Sequence, residues 1–139
     1  MATVQTQLTI QTHGRNTYNI THDIETVIHK SSISTGLCHV FIHHTSASLI
    51  ITENADPDVR HDLETLIQRM APDGDPAYRH TLEGIDDMSA HMRNILTQTE
   101  MTLPIRHGRS ALGTWQGLFL WEHRTGNFQR QLTITIMGE

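Results

Sequence analysis

The chain has 139 residues, 37% hydrophobic and 18% charged, with ten Lys and Arg against fifteen Asp and Glu for a formal charge of −5. That length suits one compact domain, residues 1–139, which folds without needing a disulfide or a metal. No apolar run approaches the roughly 20 residues of a membrane span, and the acidic balance argues against a nucleic-acid partner.

The N-terminal "MATVQTQLTI" lacks the pattern of a signal peptide. Within it Val4, Leu8 and Ile10 share one face with Thr6, the period of a half-buried strand. After the turn "THGRN", Thr21 is placed to cap a helix carrying Ile24, Val27 and Ile28 at helical spacing, with acidic residues early and Lys30 late. "LCHVFIHHT" and "SLIIT" are apolar on both faces and predict a buried strand pair, or one bent strand, from Leu37 to Thr52. The lone Cys38 lies there among apolar neighbours, reads as a small buried hydrophobe, and suits a reducing, cytoplasmic setting. Next, "DPDVRHDLETLIQRM" predicts a helix with Asp56 as cap, Pro57 in the first position, and Val59, Leu63, Leu66, Ile67 and Met70 on one stripe.

The loop "APDGDPAYRHTLEG" leads to a third helix, about Asp87 to Thr97, with Met88, Met92, Ile95 and Leu96 expected to face inward. "EMTLPI", "ALGTWQGLFLWEH" and "FQRQLTITIM" read as three strands, the last two joined by "RTGN". Hairpin-paired strands with inserted helices predict an α+β fold, a mainly antiparallel sheet packed with about three helices.

Eleven histidines are the unusual feature, and nine of the ten basic residues are arginine, a side chain suited to bidentate phosphate or carboxylate recognition. His91 falls on the apolar face of the third helix, where a hydrogen-bonded core histidine is the plainer reading. Asp87, one turn earlier, can instead accept its second ring proton and fix a metal-binding tautomer, although Asp86 or Asp87 also suits the helix cap. With His80 on the loop before the helix and His44 at the end of a strand, three histidines can form an open site on Zn²⁺. His61 falls off its helix's apolar stripe and reads as solvated. In "LGTWQGLFLWEHR" both strand faces are apolar-rich, so Gln116 is expected to be buried and in need of hydrogen-bond partners from the protein or a ligand.

Taken in order, "HTSASL", "ENADPDVRHD", "HTLEGIDDMSAH" and "LGTWQGLFLWEHR" resemble the YjbQ family, also called secondary thiamine-phosphate synthases. The resemblance implies a homotrimer with sites near subunit interfaces, a bound divalent metal, and a thiamine-phosphate synthase activity as a side or backup reaction. It implies His44, His80 and His91 as metal ligands and Glu53 and Asp87 as catalytic carboxylates. It further implies Thr45, Thr114, Trp115, Gln116 and Arg124 at the substrate. Arg93 stands where many relatives carry lysine, which keeps the charge but not a deprotonatable amine.

The function expected on this basis is a cytoplasmic transferase that couples hydroxymethylpyrimidine diphosphate to a thiazole phosphate and releases pyrophosphate. Zn²⁺ is the expected ion, with Mg²⁺ the other one suited to a diphosphate substrate. The alternatives are a metal-assisted phosphoester hydrolase and a non-catalytic metal- or ligand-binding trimer.

Overall fold

The computed structural model describes residues 1–139 as two antiparallel sheets and three helices. In chain order these are β1 (Ala2–His13), β2 (Asn16–Asn19), α1 (Thr21–Ser31), β3 (Thr35–Ile42), β4 (Ala47–Glu53), α2 (Pro57–Met70) and α3 (Asp87–Ile95). They are followed by β5 (Glu100–Arg106), β6 (Arg109–Ser110), β7 (Gln116–Glu122) and β8 (Asn127–Gly138). The larger sheet has the order β1-β8-β3-β5-β6 and the smaller β2-β7-β4. The expected α+β class is therefore present. The segment from Leu37 to Thr52 divides at residues 43–46, so that β3 and β4 belong to different sheets.

Alternation builds the core. Cys38, Val40 and Ile42 on β3, Leu132, Ile134 and Ile136 on β8, and Leu118 and Leu120 on β7 are buried in one cluster with Ile24, Val27 and Ile28 of α1. Gly36 lies opposite Gly138 across β3 and β8, and a Cβ on either would run into the other strand's backbone. No helix is long and apolar enough to cross a membrane.

The helices depart from their amphipathic reading in instructive ways. Thr21 is the first helical residue and not the cap; its hydroxyl accepts from Leu118 N–H at 2.9 Å and so ties α1 to β7. Asp56 does cap α2, accepting from Asp58 N–H at 2.9 Å. On the apolar stripe of α2 only Ile67 is buried, while Leu66 and Met70 are exposed beyond the edge of the smaller sheet.

In α3 the expected face is reversed. Asp87, Ser89, Ala90, Arg93 and Asn94 are buried, and Ile95 is 73% exposed. The reason is hydrogen bonding. Asn94 donates to Ala47 C=O at 2.7 Å, and Arg93 clamps Glu64 of α2 at 2.5 and 2.8 Å while its Nε donates to His123. Polar groups that satisfy β4, α2 and His123 just after Glu122 outcompete methyl groups for the inner face, because a buried polar atom without a partner costs about 1–3 kcal/mol.

Candidate metal centre

Asp87 begins α3 with its side chain only 4% exposed, and three cationic or titratable groups converge on it. Its Oδ2 lies 2.7 Å from His80 Nε2 and 3.1 Å from His91 Nε2, and its Oδ1 lies 2.9 Å from Arg124 Nη1. One ligand atom from each of His80, Asp87 and His91 lies within 4.8 Å of the others. The i, i+4 spacing of Asp87 and His91 puts both on one helical turn. His80 arrives from the 71–86 loop, whose end is pinned where Asp86 Oδ2 accepts from Thr125 N–H at 2.9 Å and Arg124 Nε at 3.1 Å. Asp86 thus holds the β7–β8 turn and makes no cap bond to the helix.

Charge bookkeeping at His91 is informative. Its Nδ1 lies 2.9 Å from Thr45 C=O, which can only accept, so Nδ1 carries the proton. Neutral imidazole then presents the bare lone pair of Nε2 to the Asp87 oxygen. Two lone pairs at 3.1 Å repel, and the arrangement is favourable only with a second proton or a metal ion between them. A tetrahedral ion with bonds of about 2.0–2.1 Å spaces its ligand atoms by about 3.3 Å, close to the His91–Asp87 separation. Burial would raise the Asp87 pKa, but the His80 hydrogen bond and the charges of His91 and Arg124 outweigh it and hold the carboxyl below the usual range. The donor set of two imidazoles and one ionised carboxylate fits a divalent ion.

Of the ten residues expected at the site, the structure gathers His80, Asp87, His91 and Arg124, with Thr45 supplying a main-chain carbonyl and not its hydroxyl. His44 is not among them within one chain. Its Nε2 accepts from Gln131 N–H at 2.8 Å and its Nδ1 faces Arg130 at 3.4 Å, so both nitrogens are turned to β8. Burial, then the Arg130 charge, lowers its pKa.

Glu53 stands at the far end of β4, where its Oε2 accepts from Ala55 and Asp56 N–H at 3.0 and 2.9 Å. The six rises between Ala47 and Glu53, the two ends of the seven-residue strand, place it about 20 Å along β4. Gln116 lies opposite Glu53 and is exposed, not buried. Its Oε1 accepts from Gly113 N–H at 2.7 Å, closing a turn that also holds Thr114 and the 64% exposed Trp115.

Sequence reasoning missed a buried polar layer behind the site. Glu122, the last residue of β7, and His123 just after it are fully buried; Glu122 pairs with Arg130, and His123 bridges Ser48 at 2.7 Å and Arg93 at 3.0 Å. The signal was present in "WEHR", where a carboxylate and an imidazole follow directly on the apolar run of β7.

The sequence profile described as UPF0047 protein YjbQ-like matches residues 6–139. A UPF0047 protein of Synechocystis sp. is 50% identical over 132 residues, covering 95% of this chain and 90% of its own. The UPF0047 protein YjbQ of Escherichia coli is 39% identical over 136 residues, covering 97% and 98%. Among solved structures, a YbjQ-like protein of unknown function from Sulfolobus solfataricus superposes with a TM-score of 0.87 at 26% identity, covering 99% of this chain and 100% of that one. A conserved hypothetical protein from Thermus thermophilus gives 0.85 at 34% identity, covering 95% and 99%. These proteins are described by family or as of unknown function, and none of those descriptions gives a synthase activity. The expectation of thiamine-phosphate synthesis is therefore corrected: membership does not bring that reaction with it. The profile match over nearly the whole chain, with relatives at up to half identity, establishes that this chain belongs to the YjbQ/UPF0047 family.

Proposed function

We propose that this chain is a divalent-metal protein whose ion is held by His80, Asp87 and His91. The observation that carries the reading is the His91 ring, whose protonated Nδ1 is spent on Thr45 C=O while Nε2 and the Asp87 carboxylate face one another. Two imidazoles with one carboxylate suit Zn²⁺, whereas Mg²⁺ favours oxygen ligands in an octahedron. An ion bound there supplies Lewis acidity to an oxygen ligand. His80, 47% exposed, leaves that side open to a small ligand, a phosphorylated one included.

Arg124 holds Asp87 and Asp86 in place and donates to Glu83 C=O at 2.8 Å, so its main part is to position the carboxylates. The threefold assembly implied by the family resemblance belongs to the same proposal. In it, the exposed turn with Thr114, Trp115 and Gln116, remote from its own cluster, would serve a neighbouring subunit's site. A cytoplasmic setting accords with buried Cys38, whose thiol burial pushes up to about 12.

Elemental analysis of protein purified without a metal-affinity resin tests the reading. About one divalent ion per chain is expected, removed by chelator and restored by Zn²⁺. Protein that neither carries an ion nor takes one up at micromolar concentration refutes it.

A further inference from the structure

β1 is the outer strand of the larger sheet, twelve residues paired along one side only, with β8. Edge strands of such length are ordinarily blunted by lysine, proline, a bulge or a covering loop, because their unpaired backbone groups template association. β1 has none of the first three. It contains no Asp, Glu, Lys, Arg or Pro, and its register runs unbroken from Ala2 opposite Gly138 to His13 opposite Asn127.

A flanking bond shows which groups are free. Gly14 N–H donates to Gly126 C=O at 2.9 Å, so with the period of two of an antiparallel ladder the even-numbered residues bond to β8 and the odd-numbered ones face outward. In agreement, His13 N–H turns away from β8 and donates to the Tyr18 hydroxyl at 2.8 Å, closing that end. Thr3, Gln5, Gln7, Thr9 and Gln11 present the remaining edge. Beside it lies a groove of about 320 Å³ between β1 and α1, lined by Val4, Leu8 and Val27 together with His22 and Lys30. Val4, Leu8 and Ile10 point to the core side yet are only partly buried.

We propose that β1 pairs antiparallel with β1 of a second copy of this chain, about a twofold axis at Gln7. Gln7 then meets Gln7, Gln5 meets Thr9 and Thr3 meets Gln11 as hydrogen-bonded pairs, while Val4 meets Ile10 and Thr6 meets Leu8 on the core side. A slip of one residue would turn the apolar set outward, so the pattern selects this register class. Length also selects the occupant. β2 has four residues, β6 has two, and the edge of β4 is partly taken where Leu49 bridges Gln98, so among the strand edges β1 alone matches β1.

The strand carries no acidic or basic residue other than His13, and the pairing brings no like charges together. The joined ten-stranded sheet ends on both sides at the two-residue β6, which removes the long edge. The contact is independent of the metal cluster; combined with a threefold contact it gives a hexamer.

Light scattering of the full chain, with hydrogen exchange of the β1 amides, tests the pairing. The expected result is an even number of chains per particle and slow exchange at Gln5, Gln7 and Thr9. A monomer, an odd-numbered assembly, or fast exchange at those amides overturns it. Gln7→Pro removes one outward N–H and no bond to β8, and is expected to halve the particle mass with an unchanged circular-dichroism spectrum. A folded variant of unchanged mass overturns the proposal. If proline disturbs the fold, Gln7→Lys decides: two ammonium groups placed opposite one another should likewise halve the mass, and mixing with Gln7→Glu should restore it. A strand of another protein found on β1 in place of the second copy also overturns it.

Discussion

His91 shows how much a single main-chain atom contributes. Thr45 C=O fixes the ring's tautomer, and the position of that carbonyl follows from the turn between β3 and β4. Removing either imidazole leaves at most one nitrogen donor beside Asp87. His80→Ala and His91→Ala are each expected to weaken Zn²⁺ binding by more than the roughly 10–100-fold typical of losing an outer partner. His61→Ala, 76% exposed on α2, is expected to leave it unchanged. Competition titration against a chromophoric chelator reads all three, and full affinity in both site variants would remove the ligand assignment. Gln116 makes the opposite point. Its amide serves the turn at Gly113, so Gln116→Leu is expected to cost about 0.5–1.5 kcal/mol of stability, the worth of one hydrogen bond, with metal affinity unaltered. Urea unfolding beside the same titration separates these effects.

At the scale of elements, capping and packing exert their effects separately. Asp56 stands with extended backbone before Pro57, and its carboxylate satisfies one of the orphan N–H groups of α2. Asp56→Ala is therefore expected to destabilise the chain by about 1 kcal/mol. Asp56→Ser should recover most of the loss, whereas equal melting temperatures for wild type and Asp56→Ala would show the cap to be idle. The stop and start signals of α2 are local, and for that reason they were legible in the sequence. The inner face of α3 was not. Met88, Met92 and Ile95 define a plausible apolar stripe, but Arg93 and Asn94 make bonds to Glu64 and Ala47, 29 and 47 residues away in the chain. No periodicity within nine residues encodes such partners.

For the whole molecule, the buried polar layer between β7, α3 and β8 links stability to pH. Folded His123 is neutral, its pKa pushed down to about 2 by burial first and then by the charges of Arg93, Arg15 and Arg130. In the unfolded chain it takes up a proton near its ordinary value of about 6.5. The unfolded state therefore binds the additional proton between those values. The stability that neutral His123 contributes is complete above about pH 6.5 and declines as the pH falls below it. From pH 7 to pH 5 the decline is about 2 kcal/mol. His44, lowered by burial and Arg130, adds to it with the same sign. Urea unfolding at the two pH values is expected to show this loss in the wild type and a smaller one in His123→Gln; equal slopes would exclude His123 as the cause.

By itself the sequence determined the α+β class, the strands and helices with strong local periodicity, the cap of α2, and the family. Each of these depends on residues within a turn or two of one another, or on motifs that keep their order along the chain. It also brought His80, Asp87 and His91 forward, because a helical turn and a short loop join them in twelve positions. Only the tertiary structure decided that His44 turns to Gln131 and Arg130, that Glu53 and Gln116 stand at the opposite end of β4, and that α3 buries its polar side. The physical reason is common to all three. A polar side chain goes to the partner that satisfies its hydrogen bonds, and that partner is set by how the two sheets and the helices pack, which spacing along the chain does not encode.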